Sequence, residues 1–342
     1  MLNVASDHLG LDGVDTLDDL ARVKRVVAEV TRGTVVRNAD DEQTLKMAAF
    51  SPARQVMYVT RNPEHELVRE HIRLGKLAVV LEQGVNGDQI VIYDNGTQMP
   101  LMWTQLIPAT LEGKALHNVE NAMFATGMAY ALGKTLDQIS AGLRTFDNSF
   151  FQSPGRMNVF DEHGFRVILD YGHNEAAVGP WSTWATGSSR AGAGSSASPA
   201  RATGATRTRR RLRRRSPAIS TPISATICHR DDNLRDREPD EVPELLRDAL
   251  IAEGVAPDAI SIIGEEEKAL DAALEQAQPD DLVLYFCEAI TRCWKQIIHF
   301  TPKFTAPEPE SVAKRLATSI FDVPDGFALT SDDRGVLIVP AK

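Results

Sequence analysis

The order of strand-like and helix-like segments constrains the fold of this 342-residue chain more than any other feature. From Asp231 onward the pattern runs helix 240–253, strand 259–263, helix 266–276, strand 281–286 and helix 289–298. Strands that alternate with helices of this length lie side by side in parallel, with helices on both faces of the sheet. The sequence therefore predicts an α/β protein with a mainly parallel sheet in this half.

The first half of the chain also mixes strands with helices. The helix predicted over 16–31 carries five apolar side chains on one face: Leu17, Leu20, Val23, Val26 and Val27. Strand-like segments follow at 55–60, 77–82, 89–94, 156–160 and 165–170. A long helical pattern over 116–132 ends at Gly133, a residue type that readily takes the left-handed conformation found after a helix.

Positive charge is concentrated in one stretch of an otherwise acidic chain. The net charge is −10, yet nine Arg and no Lys, Asp or Glu occur between Pro180 and Thr226. Without these nine charges the rest of the chain would carry −19. A body this acidic argues against nucleic acid as the main partner, because it would repel phosphates.

Nothing in the sequence indicates a membrane or an oxidising compartment. No apolar run approaches the roughly 18 residues that a membrane-spanning helix needs. The first 20 residues contain five Asp and no basic residue, unlike a secretory or transit peptide. Cys228, Cys287 and Cys293 form neither a disulfide framework nor a zinc pattern. We therefore expect a reduced, cytoplasmic protein.

Six short motifs occur in the order found in the Mur ligase superfamily: N-V-A-S-D-H-L-G-L-D-G at 3–13, Lys24, N-A-D-D at 38–41, G-K-A-L-H-N-V-E-N-A at 113–122, P-G-R-M at 154–157 and D-Y-G-H-N at 170–174. Within that superfamily, four segments resemble the cyanophycin synthetase family: 89–108, 146–174, 228–246 and 290–298. The resemblance covers nearly the whole chain apart from about 180–226. One departure is Cys287-Glu288-Ala289, where Gly-Asp-Asn is usual in the family.

The resemblance implies a fold and a reaction. The fold would be a partial Mur ligase central domain of the P-loop NTPase type over 1–152, a Rossmann-like Mur ligase C-terminal domain over 153–300 and an appendage over 301–342. In such ligases ATP phosphorylates a carboxylate, and an amine then displaces the phosphate to give an amide. The family joins Arg to the Asp side-chain carboxylate of an Asp-Arg polymer, which implies ATP, Mg²⁺, Arg and that polymer as ligands. It also suggests a homo-oligomer.

Three of the residues that the resemblance assigns lie in the first half of the chain. His8 corresponds to a magnesium-binding His, although it could equally be a helix-start His without a ligand. Lys24 matches, within one residue, a lysine that Mur ligases carbamylate. Its neighbours Arg22 and Arg25 are also consistent with a solvated helix surface. Asn118 corresponds to an Asn that contacts the nucleotide.

The remaining assigned residues follow the P-G-R-M motif. The resemblance implies that Arg156, Asp170 and Asn174 contact the nucleotide and that His173 acts in catalysis. For Arg156 the physical reason is that a guanidinium can hold phosphate in a fixed fork. The alternative is a surface hairpin with ordinary charges. Glu175 departs from the family, in which many members carry Pro at this position.

The phosphate loop G-x-x-x-x-G-K-[ST] does not occur in these 342 residues. Gly133-Lys134-Thr135 is no substitute, because Gly127 is one position too far upstream and the triplet is predicted to end a helix instead of starting one. We therefore expect a truncated chain, with the loop and an ATP-grasp module encoded upstream, and a separate upstream ligase half as a partner. The alternative is a catalytically incompetent gene remnant.

The basic stretch has a further explanation. GC-rich codons for the family-like string G-P-G-D-R-R-D-E-D, read one base later, give A-R-A-T-G-A-T-R, which stands at 200–207. We interpret about 180–226 as out-of-frame translation that returns to frame near Ile227, and we expect it to be disordered. An Arg-rich segment that binds nucleic acid is the alternative.

Overall fold

The computed structural model describes residues 2–5, 9, 13–172, 207–211, 225–227, 238, 241–252, 255–303, 327–332 and 335–340. Within these residues the chain forms two main sheets, each covered by helices. The predicted α/β class is confirmed.

The first sheet contains five strands in chain order: Thr34–Asn38 (β1), Gln55–Thr60 (β2), Leu77–Gly84 (β3), Gly87–Asp94 (β4) and Thr97–Trp103 (β5). The first three strands pair in parallel, and β3, β4 and β5 pair antiparallel as successive hairpins. Asn95 and Gly96 both have positive φ at the β4–β5 turn, as a tight hairpin turn of this type requires.

Five helices accompany this sheet: Leu17–Val30 (α1), Glu42–Lys46 (α2), Glu66–Arg73 (α3), Leu116–Ala131 (α4) and Leu136–Thr145 (α5). The predicted long helix is α4, and Gly133 follows it with φ +78°. Its Val119, Met123 and Phe124 are buried against the sheet. At Gly127 a Cβ would lie 2.9 Å from the Met57 sulfur, so only glycine allows α4 to pack this closely.

Helix α1 exists as predicted, but most of its apolar face is exposed. Val23, Val26 and Val27 are each more than half exposed, and Val30 is 65% exposed. The buried side of α1 consists instead of Leu20 and the small Ala21 and Ala28. The spacing of the apolar residues therefore predicted the helix correctly, but it did not predict which face of the helix is buried against the rest of the protein.

The second sheet has the order β6-β7-β11-β8 and is made of Asn158–Phe160 (β6), Arg166–Asp170 (β7), Arg207–Arg211 (β8) and Asp281–Phe286 (β11). Ala225–Ile227 (β9) and Ile260–Ile262 (β10) form a separate parallel pair. The helices are Glu241–Ala252 (α6), Glu266–Gln276 (α7) and Ile290–His299 (α8), and Phe327–Asp332 (β12) pairs with Gly335–Pro340 (β13).

This second sheet is mixed, although a mainly parallel one was predicted. Strands β7 and β11 pair in parallel, whereas β6 joins β7 as a hairpin and β8 runs antiparallel to β11. The hairpin follows from the turn at 162–164, which is too short for a crossover.

Two parts of the 180–226 segment form strands, which differs from the expected disorder. Residues 207–211 are β8, and Ala225 and Thr226 begin the buried strand β9. Without β8, β11 would be the edge of this sheet, and its unpaired backbone groups could pair with almost any extended segment, whatever its side chains. The rest of the segment lies outside the described residues.

Arg37 on β1 is fully buried, and its guanidinium donates to the backbone oxygens of Thr44 (3.0 Å) and Met47 (2.8 Å). We expect Arg37→Met to lower the free energy of unfolding by about 2 kcal/mol. Two buried carbonyls lose their donors, while relief from burying a cation offsets part of that cost.

The measurement is urea unfolding, with Arg73→Met as the control. The Arg73 side chain is 73% exposed and pairs with Glu70, which is exposed as well, so its loss should change stability by about 0.5 kcal/mol or less. Equal unfolding midpoints for the two variants would show that the buried guanidinium contributes nothing net.

Candidate nucleotide-binding cleft

A cleft of about 950 Å³ separates helices α4 and α5 from the loop that leads into β6. It lies in the range of roughly 300–1,000 Å³ that is typical of small-molecule sites. Its lining residues come from the first sheet's helices, from the loop and from the end of β7: Ile107, Ala109, His117, Asn118, Asn121, Ala122, Ala125, Ala129, Lys134, Gln138, Ile139, Gly142, Leu143, Phe146, Asn148, Ser153, Arg156, Met157 and Asp170.

The floor of the cleft is apolar and narrow. Helix α4 presents Ala122, Ala125 and Ala129 at spacings of three and four residues, which places them on one face. Helix α5 contributes Leu143 and Phe146 opposite them. Because alanines leave room between the helices, a flat and largely apolar group can lie in this part of the cleft.

The polar end of the cleft begins with Asn118. Its side-chain amide donates to the Ala109 oxygen (2.7 Å) and lies 3.1 Å from the Met157 sulfur. The Asn121 amide donates to the Asn118 Oδ1 at 3.2 Å. The His117 Nε2 lies 2.8 Å from the same sulfur, and burial lowers the pKa of this imidazole. Burial therefore favours the neutral form of His117.

Arg156 stands at the mouth of the cleft on a tightly folded turn. Its side chain is exposed, and among the described residues no carboxylate pairs with it. The residues on either side, Gly155 (φ +73°) and Met157 (φ +53°), both have left-handed backbone conformations. A cation presented in this way is available to an anionic ligand.

Asp170 ends β7 and supports this turn. One of its carboxylate oxygens accepts from the Met157 N–H (2.9 Å), and the other accepts from the Gly172 N–H (2.7 Å). The carboxylate is buried. Its described contacts therefore shape the Arg156 turn, beyond the ligand contact that the sequence suggested for it.

Three of the seven predicted site residues meet in this cleft. Asn118, Arg156 and Asp170 come from α4, the loop and β7, yet all line the same cavity. Lys24 is half-buried on α1 and does not line the cleft. The other three predicted residues lie outside the described residues. They are His8, predicted to bind the metal, His173, predicted to act in catalysis, and Asn174, predicted to contact the nucleotide.

Sequence reasoning missed α5, which forms one wall of the cleft. The signal for it was the capping box at its start, where the Thr135 hydroxyl accepts from the Gln138 N–H and the Gln138 side chain accepts from the Thr135 N–H. The triplet Gly133-Lys134-Thr135 therefore both ends one helix and starts the next. It follows a helix, whereas a phosphate loop follows a strand.

A second polar cluster lies at the carboxyl ends of β1 and β2. The Glu120 carboxylate accepts from the Asn38 amide (2.8 Å) and pairs with Arg61 at 3.4 Å. Asp40 accepts from the Thr60 hydroxyl and the Arg61 N–H. Burial raises the pKa of Glu120, and Asp40 adds to this effect while Arg61 opposes it.

The described residues hold no ready metal site and no membrane span. Among them, no group of three or more His, Cys, Asp or Glu side chains is placed to bind a metal ion. In the same part of the chain, no helix has the length and apolar character needed to cross a bilayer.

Comparison with known proteins gives consistent matches. Residues 155–287 match the glutamate ligase domain of the Mur ligases. Cyanophycin synthetase from Trichormus variabilis is 34% identical in an alignment of 350 positions that covers 97% of this chain and 35% of that protein. Cyanophycin synthetase from Synechocystis sp. is 33% identical in an alignment of 303 positions that covers 85% of this chain and 32% of that protein. The chain thus spans about a third of the length of these relatives.

Likeness to solved structures is weaker. The crystal structure of MurF from Acinetobacter baumannii is 16% identical, with a TM-score of 0.48 over 87% of this chain and 58% of that chain. At this score the likeness supports no conclusion.

We expect Glu120→Gln to stabilise the protein at pH 7 and to have little effect at pH 4. Because the folded-state pKa is raised, the protonated carboxyl is favoured by folding. That contribution is fully present below the unfolded value of about 4.3, and it is lost as the pH rises through the folded value.

Urea unfolding at both pH values measures this difference, which should be less than about 1 kcal/mol because the side chain is partly solvated. Glu70→Gln, which removes an exposed carboxylate paired with Arg73, is the control. A Glu120→Gln variant that is less stable than wild type at pH 7 would show that the pair with Arg61 outweighs burial.

Proposed function

We propose that this chain is a portion of an ATP-dependent acid–amino-acid ligase. It is homologous to cyanophycin synthetases over about a third of their length, and its residues 155–287 match the glutamate ligase domain of the Mur ligases. The nucleotide would bind in the cleft between α4, α5 and the Arg156 turn. The observation that supports this proposal is the convergence of Asn118, Arg156 and Asp170 from three separate segments on one cavity.

The cleft suits the two chemical ends of ATP. The alanine face of α4 and Phe146 of α5 offer apolar surfaces to the faces of a purine. The amides of Asn118 and Asn121 lie at the edge of this surface, where the polar groups of a base need partners. Arg156 at the mouth offers a cation to phosphate, and an Arg–phosphate contact is among the stronger charge-assisted hydrogen bonds.

The proposed reaction joins Arg to the Asp side-chain carboxylate of an Asp-Arg polymer. When bound, ATP supplies the phosphoryl group that activates the carboxylate, and attack by the amine releases phosphate. Within the described residues, the part of this chain would be to hold the base at Asn118 and the phosphates at Arg156, with Asp170 fixing the turn. The apolar walls that α4 and α5 form would limit the access of water to the base.

The remaining roles and partners are proposals from the family. Mg²⁺ would be held with the help of His8, and carbamylated Lys24 and His173 would serve catalysis. Lys24 does not line the cleft, and His8 and His173 lie outside the described residues. The central domain would occupy 1–152 and the C-terminal domain 153–300. A separate upstream ligase half and a homo-oligomer are the proposed protein partners.

A catalytically incompetent remnant is the second candidate. The supporting observation is that these 342 residues lack the phosphate-loop sequence whose backbone amides surround the phosphates in P-loop ligases. The two candidates share the cleft and differ in turnover, so binding and activity must be measured separately.

We expect ATP to bind with a dissociation constant in the high micromolar range or weaker, about −5 kcal/mol or less favourable. Arg156→Ala should weaken binding about tenfold, since a charge-assisted contact is removed. NMR titration with ATP measures both.

Arg166→Ala is the matched control for this experiment. Arg166 lies on β7, is exposed, pairs with Asp161 and does not line the cleft. Equal ATP affinities for Arg156→Ala and Arg166→Ala would place the nucleotide elsewhere. Low-micromolar binding that Arg156→Ala abolishes would show that this half-site alone suffices.

The purified chain should not release phosphate from ATP in the presence of Arg and a β-Asp-Arg primer. The physical reason is that Arg156 alone does not replace a loop of backbone amides around the transferred phosphoryl group. A phosphate-release assay tests this, with Arg156→Ala as a control for contaminating ATPases. Turnover that depends on Arg, on primer and on Arg156 would exclude the remnant.

A further inference from the structure

We propose that Asn158 is a positioning residue for nucleotide binding: its buried amide fixes the turn that presents Arg156 to the cleft. This inference rests on the proposed function of the cleft and extends it to a side chain that does not line the cavity. It would act through Arg156 and through no contact with the ligand.

The Asn158 side chain makes three hydrogen bonds, all to one short stretch of backbone. It is fully buried. Its Oδ1 accepts from the Gly155 N–H at 2.6 Å, and its Nδ2 donates to the backbone oxygens of Asn148 (3.1 Å) and Ser153 (2.9 Å). An amide that offers one acceptor and two donors therefore joins three points of the loop.

The turn needs such support, because its backbone is left-handed on both sides of Arg156 and is strained at Met157. Gly155 tolerates its left-handed conformation, but a Cβ there would lie 2.6 Å from an Ile290 methyl. Met157 is a non-glycine residue with φ +53°, which is held only where the surroundings over-determine it. Asn158 takes the N–H before Arg156, and Asp170 takes the N–H after it. Arg156 thus sits between two side-chain clamps.

The same network reaches the residue proposed to contact the base. The Asn148 amide donates to the Ala109 oxygen at 3.2 Å, and Asn118 donates to that same oxygen at 2.7 Å. Since Asn158 binds the Asn148 oxygen, one set of hydrogen bonds connects Asn118 with the Arg156 turn. Asn158 is placed to keep the two ends of the nucleotide site at a fixed separation.

The test compares Asn158→Ala with Asn62→Ala. Asn62 is the matched control, because its Oδ1 accepts from the Glu64 N–H in an exposed turn away from the cleft. Amide hydrogen exchange by NMR should show Gly155 losing protection in Asn158→Ala by at least about tenfold more than Leu169 of β7. In Asn62→Ala the Gly155 amide should be unchanged.

A comparison of ATP binding with adenosine binding distinguishes a positioning role of Asn158 from a general contribution to stability. Asn158→Ala should weaken ATP binding about tenfold and leave adenosine binding within about twofold, because only the phosphates face Arg156. In the Arg156→Ala background, Asn158→Ala should cause no further loss of ATP affinity. Equal losses for ATP and adenosine, or a further loss in the double variant, would overturn the proposal.

Asn158→Asp keeps the experiment decisive if the alanine variant does not fold. Its Oδ1 can still accept from Gly155, but at pH 7 the carboxylate faces two backbone oxygens that it repels. Lowering the pH protonates it and restores one donor, so the ATP affinity relative to wild type should recover by at least about threefold at pH 5. A ratio that does not change with pH would contradict the clamp.

Failure of the two proposals can be told apart. If wild type binds neither ATP nor adenosine, the function proposed for the cleft fails. The exchange measurement then decides the clamp alone, since protection of the Gly155 amide requires no ligand. Unchanged Gly155 protection in Asn158→Ala would refute the role of Asn158 even if ATP binds in the cleft.

Discussion

A buried amide or carboxylate without partners costs on the order of one to three kcal/mol, and the loop between α5 and β7 is built so that both kinds are fully partnered. Asn158 accepts one N–H and donates to two carbonyls, and Asp170 accepts two N–H groups. These five bonds are made to backbone groups of one short loop and of Gly172, two residues after β7. They fix the loop that forms one side of the cleft, and the Met157 sulfur of this loop contacts His117 and Asn118 of α4.

Helix α4 links that cleft to the core of the first sheet. Its inner side is buried through residues such as Met123 and Phe124, each of which contributes about 1.5–3 kcal/mol by leaving water. Gly127 permits the close approach to Met57, so the helix lies low on the sheet. The opposite side of the same helix carries Asn118 and the alanine face. Packing on one side therefore fixes the position of polar groups on the other, without any flexible connection between them.

The sequence predicted the elements better than their contacts. The pattern of apolar residues predicted α4 and β7, and motifs within these two elements pointed to Asn118 and Asp170, which both line the cleft. On α1 the spacing of the apolar residues did not show that Val27 is exposed. Such spacing identifies an apolar face of a helix but not which element, if any, packs against it. The left-handed conformation of Met157 was also out of reach, since methionine is not a turn-forming residue and its conformation is imposed by groups distant in sequence. Contacts of this kind are set by tertiary structure.

The backbone N–H groups just before α8 are also partnered by a buried side chain, so they are not open to a ligand. Glu266 of α7 is buried, and its carboxylate accepts from the N–H groups of Glu288 (2.7 Å) and Ala289 (3.3 Å) and from Arg292 (2.5 Å). These amides stand at the start of a helix, where an anion is favoured. In this chain the anion is an internal carboxylate, held in place by an Arg of the helix itself. Because Glu266 already occupies these amides, the departure from Gly-Asp-Asn at Cys287-Glu288-Ala289 falls where the chain binds its own side chain. Arg156, by contrast, lines the cleft as an exposed cation.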